Sequence, residues 1–177
     1  RFVGMLVDFM RGVKLGDPAL PDTQMGPIAT RPQFEKIVSY IELGKREGAT
    51  CVLGGGVRAD LGAGWFVEPT IFTGVRNDMR IAQEEIFGPV LAVIPFADEQ
   101  DAIRIGNDIR FGLAAAVWAR DLRRAMLVTD KLKAGTIWVN NYRATSFTSP
   151  FGGYKDSGIG RESGVDAMQA YGRAQAH

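Results

Sequence analysis

The chain has 177 residues, 46% hydrophobic and 23% charged, with a net charge of +1, an ordinary globular composition for one domain or most of one. A chain of this length can bury roughly 70% of its unfolded surface, so a sizeable core is feasible. The near-zero charge gives no field for nucleic acid or anionic lipid, no stretch reaches the ~18 apolar residues of a membrane span, and the single cysteine excludes an intrachain disulfide and argues against a thiolate metal cage.

Arg1 to Val13 carries Phe2, Met5, Leu6, Phe9, Met10 and Val13 at helical spacing, which predicts a helix with these residues on one face. No Ser, Thr, Asp or Asn precedes it as a cap, so the chain is expected to begin inside an element of something longer. Asp8 lies within this amphipathic segment, unlike the apolar core of a signal peptide, and a cytoplasmic or organelle-matrix location is expected. Lys14 to Pro27, with Gly16-Asp17-Pro18 and Gly26-Pro27, reads as an irregular loop. Thr30 and Gln33 stand at capping-box spacing and Pro32 suits a first turn. Phe34, Ile37, Val38 and Ile41 give that helix its apolar face, and Gly48 should stop it.

Ala49 to Leu53 predicts a short strand ended by three glycines. Cys51 within it reads as a small buried side chain rather than a nucleophile, because no base, oxyanion turn or cationic neighbour is in view to activate it. The glycines lack the Lys-Ser/Thr of a phosphate loop and read as a turn. Trp65 to Phe72 has strand composition interrupted by Pro69, which implies an edge or a bulge. Asn77 to Ile81 could form one helical turn.

Gln83 to Phe96 places Glu84 and Glu85 before a Gly88-Pro89 corner and an apolar run, Val90 to Phe96, short enough for a strand covered on both faces. Ligands of open α/β sheets bind at strand ends, so Glu85 and Phe87 read as a cofactor contact. Beyond it the pattern is regular. Asp98 caps a helix to about Asp108, with Ala102, Ile103 and Ile109 inward; Leu113 to Trp118 is a strand; Asp121 caps a helix bearing Leu122, Ala125, Met126 and Leu132; Thr136 to Val139 is a strand. Strand, helix, strand, helix, strand makes two βαβ units in series, hence an α/β fold with a largely parallel sheet and flanking helices.

Asn140 to Gly160 is a glycine-rich loop with Tyr142, Phe147, Phe151 and Tyr154. Aromatics there either line a pocket or plug a hydrophobic gap. Glu162 to Tyr171 could form a last helix. Gly172 to His177 is a patternless tail, and the terminal His177 is discounted as a ligand or base.

In their order and spacing, Gln24-Met25-Gly26-Pro27, Gln83-Glu84-Glu85-Ile86-Phe87-Gly88-Pro89-Val90, Phe111-Gly112-Leu113-Ala114-Ala115-Ala116-Val117-Trp118, Ala134-Gly135-Thr136-Ile137-Trp138-Val139-Asn140 and the run Pro150 to Glu162 resemble the aldehyde dehydrogenase superfamily. The resemblance covers residues 1–171, as a partial catalytic domain. It implies NAD(P)-dependent oxidation of an aldehyde to a carboxylic acid: a cysteine attacks, hydride passes to the nicotinamide, and a glutamate-activated water releases the acid. Glu85 matches the acid that accepts from the nicotinamide ribose hydroxyls, Phe87 the ring beside them, and Leu113 an apolar contact to that pocket. Tyr142 and Phe151 match positions along the substrate tunnel, with Phe147 in the loop between them, and Glu162 matches a second, buried acid proposed to relay protons.

The family's nucleophile, general base and oxyanion asparagine fall before the part present, and Cys51 falls well after the nucleophile position. The resemblance therefore implies the C-terminal half of such an enzyme, inactive alone, with an incomplete site for NAD or NADP and no metal. Its expected partners are an aldehyde substrate and either the missing N-terminal half or further subunits of a homo-oligomer, with no nucleic acid or membrane. The alternatives are a non-catalytic domain that binds a partner chain, and a relative that releases a CoA thioester.

Overall fold

A computed structural model describes residues 1–172; of the expected tail, everything after Gly172, His177 included, lies outside them. The chain is an α/β protein of two compact units, residues 1–95 and 96–177.

In the first unit, α1 (Phe2–Arg11) touches the sheet and buries Val7. Phe2, Met5 and Phe9 are exposed whereas Leu6, Met10 and Val13 are half-buried, so only one edge of the predicted stripe is packed; helical periodicity cannot say which edge of an apolar stripe meets a neighbour. Helix α2 (Arg31–Arg46) has Pro32 in its first turn, and Gly48 adopts φ +90 just beyond its end. Thr30 is the N-cap but its side chain makes no capping bond.

Strand β1 (Thr50–Leu53) pairs antiparallel with β2 (Thr70–Thr73), which pairs parallel with β3 (Val90–Ala92). Pro69 ends the preceding segment, where Val57 and Val67 form an isolated bridge. A single helical turn, α3 (Arg80–Gln83), is capped by Glu47, whose carboxylate accepts from the backbone N–H of Arg80 at 2.9 Å and Ile81 at 3.4 Å. Ile37 and Ile41 of α2 pack with Phe72, Met79, Ile81 and Ile86 around one core. Phe72 is 0% exposed, and burial of such a ring contributes roughly 2–3 kcal/mol. Strand β3 is shorter than the apolar run predicted, and Leu91 is 45% exposed, so it is not covered on both faces in this chain.

In the second unit, α4 (Glu99–Asn107) is capped by Asp98, which accepts from the Asp101 N–H at 2.9 Å. Strand β4 (Phe111–Gly112) precedes β5 (Ala114–Val117). Helix α5 (Leu122–Thr129) is capped by Asp121, and β6 (Thr136–Val139) pairs parallel with β5. The β5–α5–β6 unit is the predicted crossover. The strands of the second predicted unit fall in different compact units, β3 pairing with β2 and β5 with β6.

Within the glycine-rich loop, β7 (Tyr154–Lys155) pairs antiparallel with β4. The last helix, α6 (Asp166–Tyr171), starts later than predicted, because Glu162 is held in an antiparallel bridge to Phe151. Gly135 lies so close to the loop that a Cβ there would stand 1.7 Å from the Gly152 carbonyl oxygen. A bare backbone at Gly135 lets the two main chains touch.

Candidate functional site

The segment Glu84 to Gly88 links α3 to β3, at the amino end of the parallel β2–β3 pair. Ligands of open α/β sheets sit at carboxyl strand ends, so it is the side chains of this corner, not its strand end, that mark it as a candidate site.

The two adjacent acids have opposite fates. Glu84 is taken by a bidentate pair with Arg80 (Nε–Oε1 2.7 Å, Nη2–Oε2 2.9 Å), and the Tyr40 hydroxyl donates to the same carboxylate. Arg80, then Tyr40, holds the Glu84 carboxyl well below the usual range, at about 2, while the Glu84 bond raises the Tyr40 pKa. Glu85 is exposed, and its carboxylate has no hydrogen-bond partner among the described residues. Phe87 is 70% exposed and sits at φ +55, a left-handed conformation uncommon for a side chain of its size. The structure thus presents one free carboxylate and one free ring from a single short corner.

The corner is fastened to α2. The Gln33 side-chain amide donates to the carbonyls of Ile86 (2.8 Å) and Phe87 (2.9 Å), and Lys36 Nζ donates to the Glu85 carbonyl at 2.7 Å. Lys36 Nζ also lies 5.8 Å from the Phe87 ring centroid. The capping-box reading missed Gln33, whose amide is committed to these carbonyls. The available signal was the i, i+3 spacing of two long polar side chains on one face of an amphipathic helix.

In the second unit the loop after β6 leaves the carboxyl end of the parallel β5–β6 pair. Its start is fixed by Asn140, whose carboxamide accepts from the Ala119 N–H and donates to the Ala119 carbonyl, both at 2.9 Å. Its return is fixed by Lys155, bonded to the carbonyls of Asn107 (2.9 Å) and Ile109 (2.8 Å), and by Arg161, bonded to those of Gly153 (2.9 Å) and Gly160 (2.8 Å).

Between these fixed ends lies a cleft of about 460 Å³ lined by Thr136, Thr145, Phe147, Phe151, Glu162 and Ser163, among others. A shallower hollow beside it shares Phe151 and Glu162 and adds Leu113 and Arg161. Leu113, Phe147, Phe151 and Glu162 are thus brought to neighbouring cavities. Tyr142 is not among the cleft's lining residues; it packs edge-on to Trp138, with centroids 5.7 Å apart. Phe147 is 88% exposed. Glu162 is exposed, whereas the resemblance implies a buried acid; its backbone is bonded to Phe151.

Cys51 is half-buried in β1, packed against the first unit's core, with Sγ 3.2 Å from the Leu53 carbonyl oxygen. Among the described residues no histidine or carboxylate is hydrogen-bonded to the sulfur, whose partners are the Leu53 and Gly54 carbonyls. Among those residues, no three His, Cys, Asp or Glu side chains gather where they could hold a metal ion, and no helix is long and apolar enough to cross a membrane.

Comparison with known proteins gives these clusters a context. Residues 1–176 match the model of the aldehyde dehydrogenase family. A betaine aldehyde dehydrogenase of Brucella anthropi is 53% identical over 97% of the chain, and one of Mesorhizobium japonicum is 49% identical over 99%. The chain spans 36% and 37% of the length of those two relatives. Among solved structures, a Staphylococcus aureus betaine aldehyde dehydrogenase in complex with NAD+ superposes with a TM-score of 0.92 at 45% identity, covering 96% of this chain and 34% of that one. An aldehyde dehydrogenase mutant from Bacillus cereus gives 0.92 at 47% identity, with the same coverage. The chain belongs to the aldehyde dehydrogenase family.

Proposed function

We propose that this chain is the C-terminal part of an NAD(P)-dependent aldehyde dehydrogenase, and that betaine aldehyde is its first substrate to test. The observation that carries the reading is 53% identity to a betaine aldehyde dehydrogenase over 97% of the chain. Glu85 and Phe87 contribute to the cofactor site. A carboxylate with no internal partner fits a pair of ribose hydroxyls, since it accepts from both at once, and an exposed ring beside it fits the flank of a nicotinamide. When bound, NAD(P) supplies the hydride acceptor.

Leu113 adds an apolar contact for the nicotinamide. Phe147 and Phe151 line the aldehyde side, with Tyr142 further along the same loop, where aromatic faces suit a quaternary ammonium group, and Glu162 relays protons. The nucleophile lies outside this chain. Among the described residues the hydrogen bonds of Cys51 Sγ go to the backbone carbonyls of Leu53 and Gly54 and to no base, so the 177-residue chain alone is inactive.

The test is aldehyde-dependent NADH formation. The isolated chain should give none, and an intact enzyme carrying it should lose NAD affinity and slow in hydride transfer on Glu85→Gln. Turnover by the isolated chain that disappears with Cys51→Ala would make Cys51 the nucleophile and overturn the reading. The exposed Phe2, Met5 and Phe9 on α1 favour a second reading, a non-catalytic domain that binds a partner. Activity restored by adding the N-terminal half of a relative decides for the enzyme; a stable unrelated complex without activity decides for the other.

A further inference from the structure

Phe87 holds a left-handed backbone, yet its ring is 70% exposed and so is not held there by burial in the core. The force comes from the main chain. Three successive carbonyls, those of Glu85, Ile86 and Phe87, are each bonded to a side chain of α2: Lys36 takes the first, and the single amide of Gln33 takes the other two. Ile86 between them is buried in the core, so the peptide is gripped from two directions.

We propose that Gln33 is a positioning residue for the cofactor contact. By donating to two adjacent carbonyls it holds the turn that turns the Phe87 ring outward and leaves the Glu85 carboxylate free. It acts through the backbone of the residues it holds. This rests on the cofactor reading of Glu85 and Phe87.

Gln33 lies half-exposed in the first turn of α2, away from the centre of the core, so its replacement should leave the unit folded. Gln33→Met keeps the length and removes both donors, and Gln33→Glu keeps the shape and removes them likewise. In the intact enzyme each should raise the Kd and KM for NAD+ about tenfold, with the KM for aldehyde and the melting temperature unchanged. In the 177-residue chain, amide hydrogen exchange over residues 86–90 should quicken by a similar factor.

Glu85→Gln serves as the reference. If it weakens NAD+ binding while both Gln33 variants stay within about twofold, the positioning role is wrong and the cofactor reading stands. If Glu85→Gln changes neither affinity nor rate, both fall. Gln33 variants that unfold, or that impair both substrates alike, make the residue structural and overturn the proposal.

Discussion

The two units are built from the same kinds of element and differ in what those elements enclose. Residues 1–95 surround a closed core in which Ile37, Ile41 and Phe72 are sealed from water. In the described part of residues 96–177, the buried apolar side chains are Ile103 and Ala125, while Phe96, Trp118, Leu122 and Met126 stand open. Hydrophobic periodicity is equally clear in both. A patterned face states only that a helix or strand needs a covering surface; it does not say that this stretch of chain supplies one.

The largest expected effect sharpens that contrast. Phe72→Ala should cost about 3–5 kcal/mol in denaturant unfolding, whereas Trp118→Ala, 63% exposed, should change it by less than about 0.5 kcal/mol. Similar losses for the two would break the distinction. Next, Gly135→Ala pushes a methyl group into the Gly152 backbone, which cannot swing aside as a side chain would. A cost of about 1–3 kcal/mol is expected, confined to hydrogen exchange in the second unit; a negligible cost would mean that the loop rides freely over β6.

The smallest effect is a pH dependence in the first unit. The Glu84 carboxyl titrates at about 2 in the fold, against an ordinary 4.5. Its stabilising contribution is therefore complete above the ordinary value and lost as pH falls from about 4.5 to 2. The groups facing it are Arg80, Tyr40 and Lys36. Thermal melts of the chain and of Glu84→Gln should differ at pH 7 and converge by pH 2; a constant gap would remove the ion pair as its source.

Local chemistry was the legible part. Asp98 and Asp121 announce their helices because a cap needs only a backbone N–H three residues ahead. Strand β7 went unseen because two residues have no period, and its partner lies more than forty positions away. The site divided the same way. Glu84 and Glu85 are equivalent in sequence, and only the fold, by placing Arg80 and Tyr40 beside one of them, leaves the other free. Cys51 was legible as a small side chain packed on the core from the apolar strand around it. Gln33 was legible as polar but assigned to the wrong partner, because the carbonyls it serves lie more than fifty residues along the chain.

Asn140 carries one more consequence. The β5–β6 ladder runs out at Val117 and Val139, and the next rung is made by a side chain, with the Asn140 carboxamide meeting Ala119 as a peptide group would. The sheet is thereby extended by one counterfeit residue while the true backbone, at φ +51, is already turning away. Aspartate, the same shape without the N–H, could complete only half of that rung. The heading at which the aromatic loop departs is thus written into one amide.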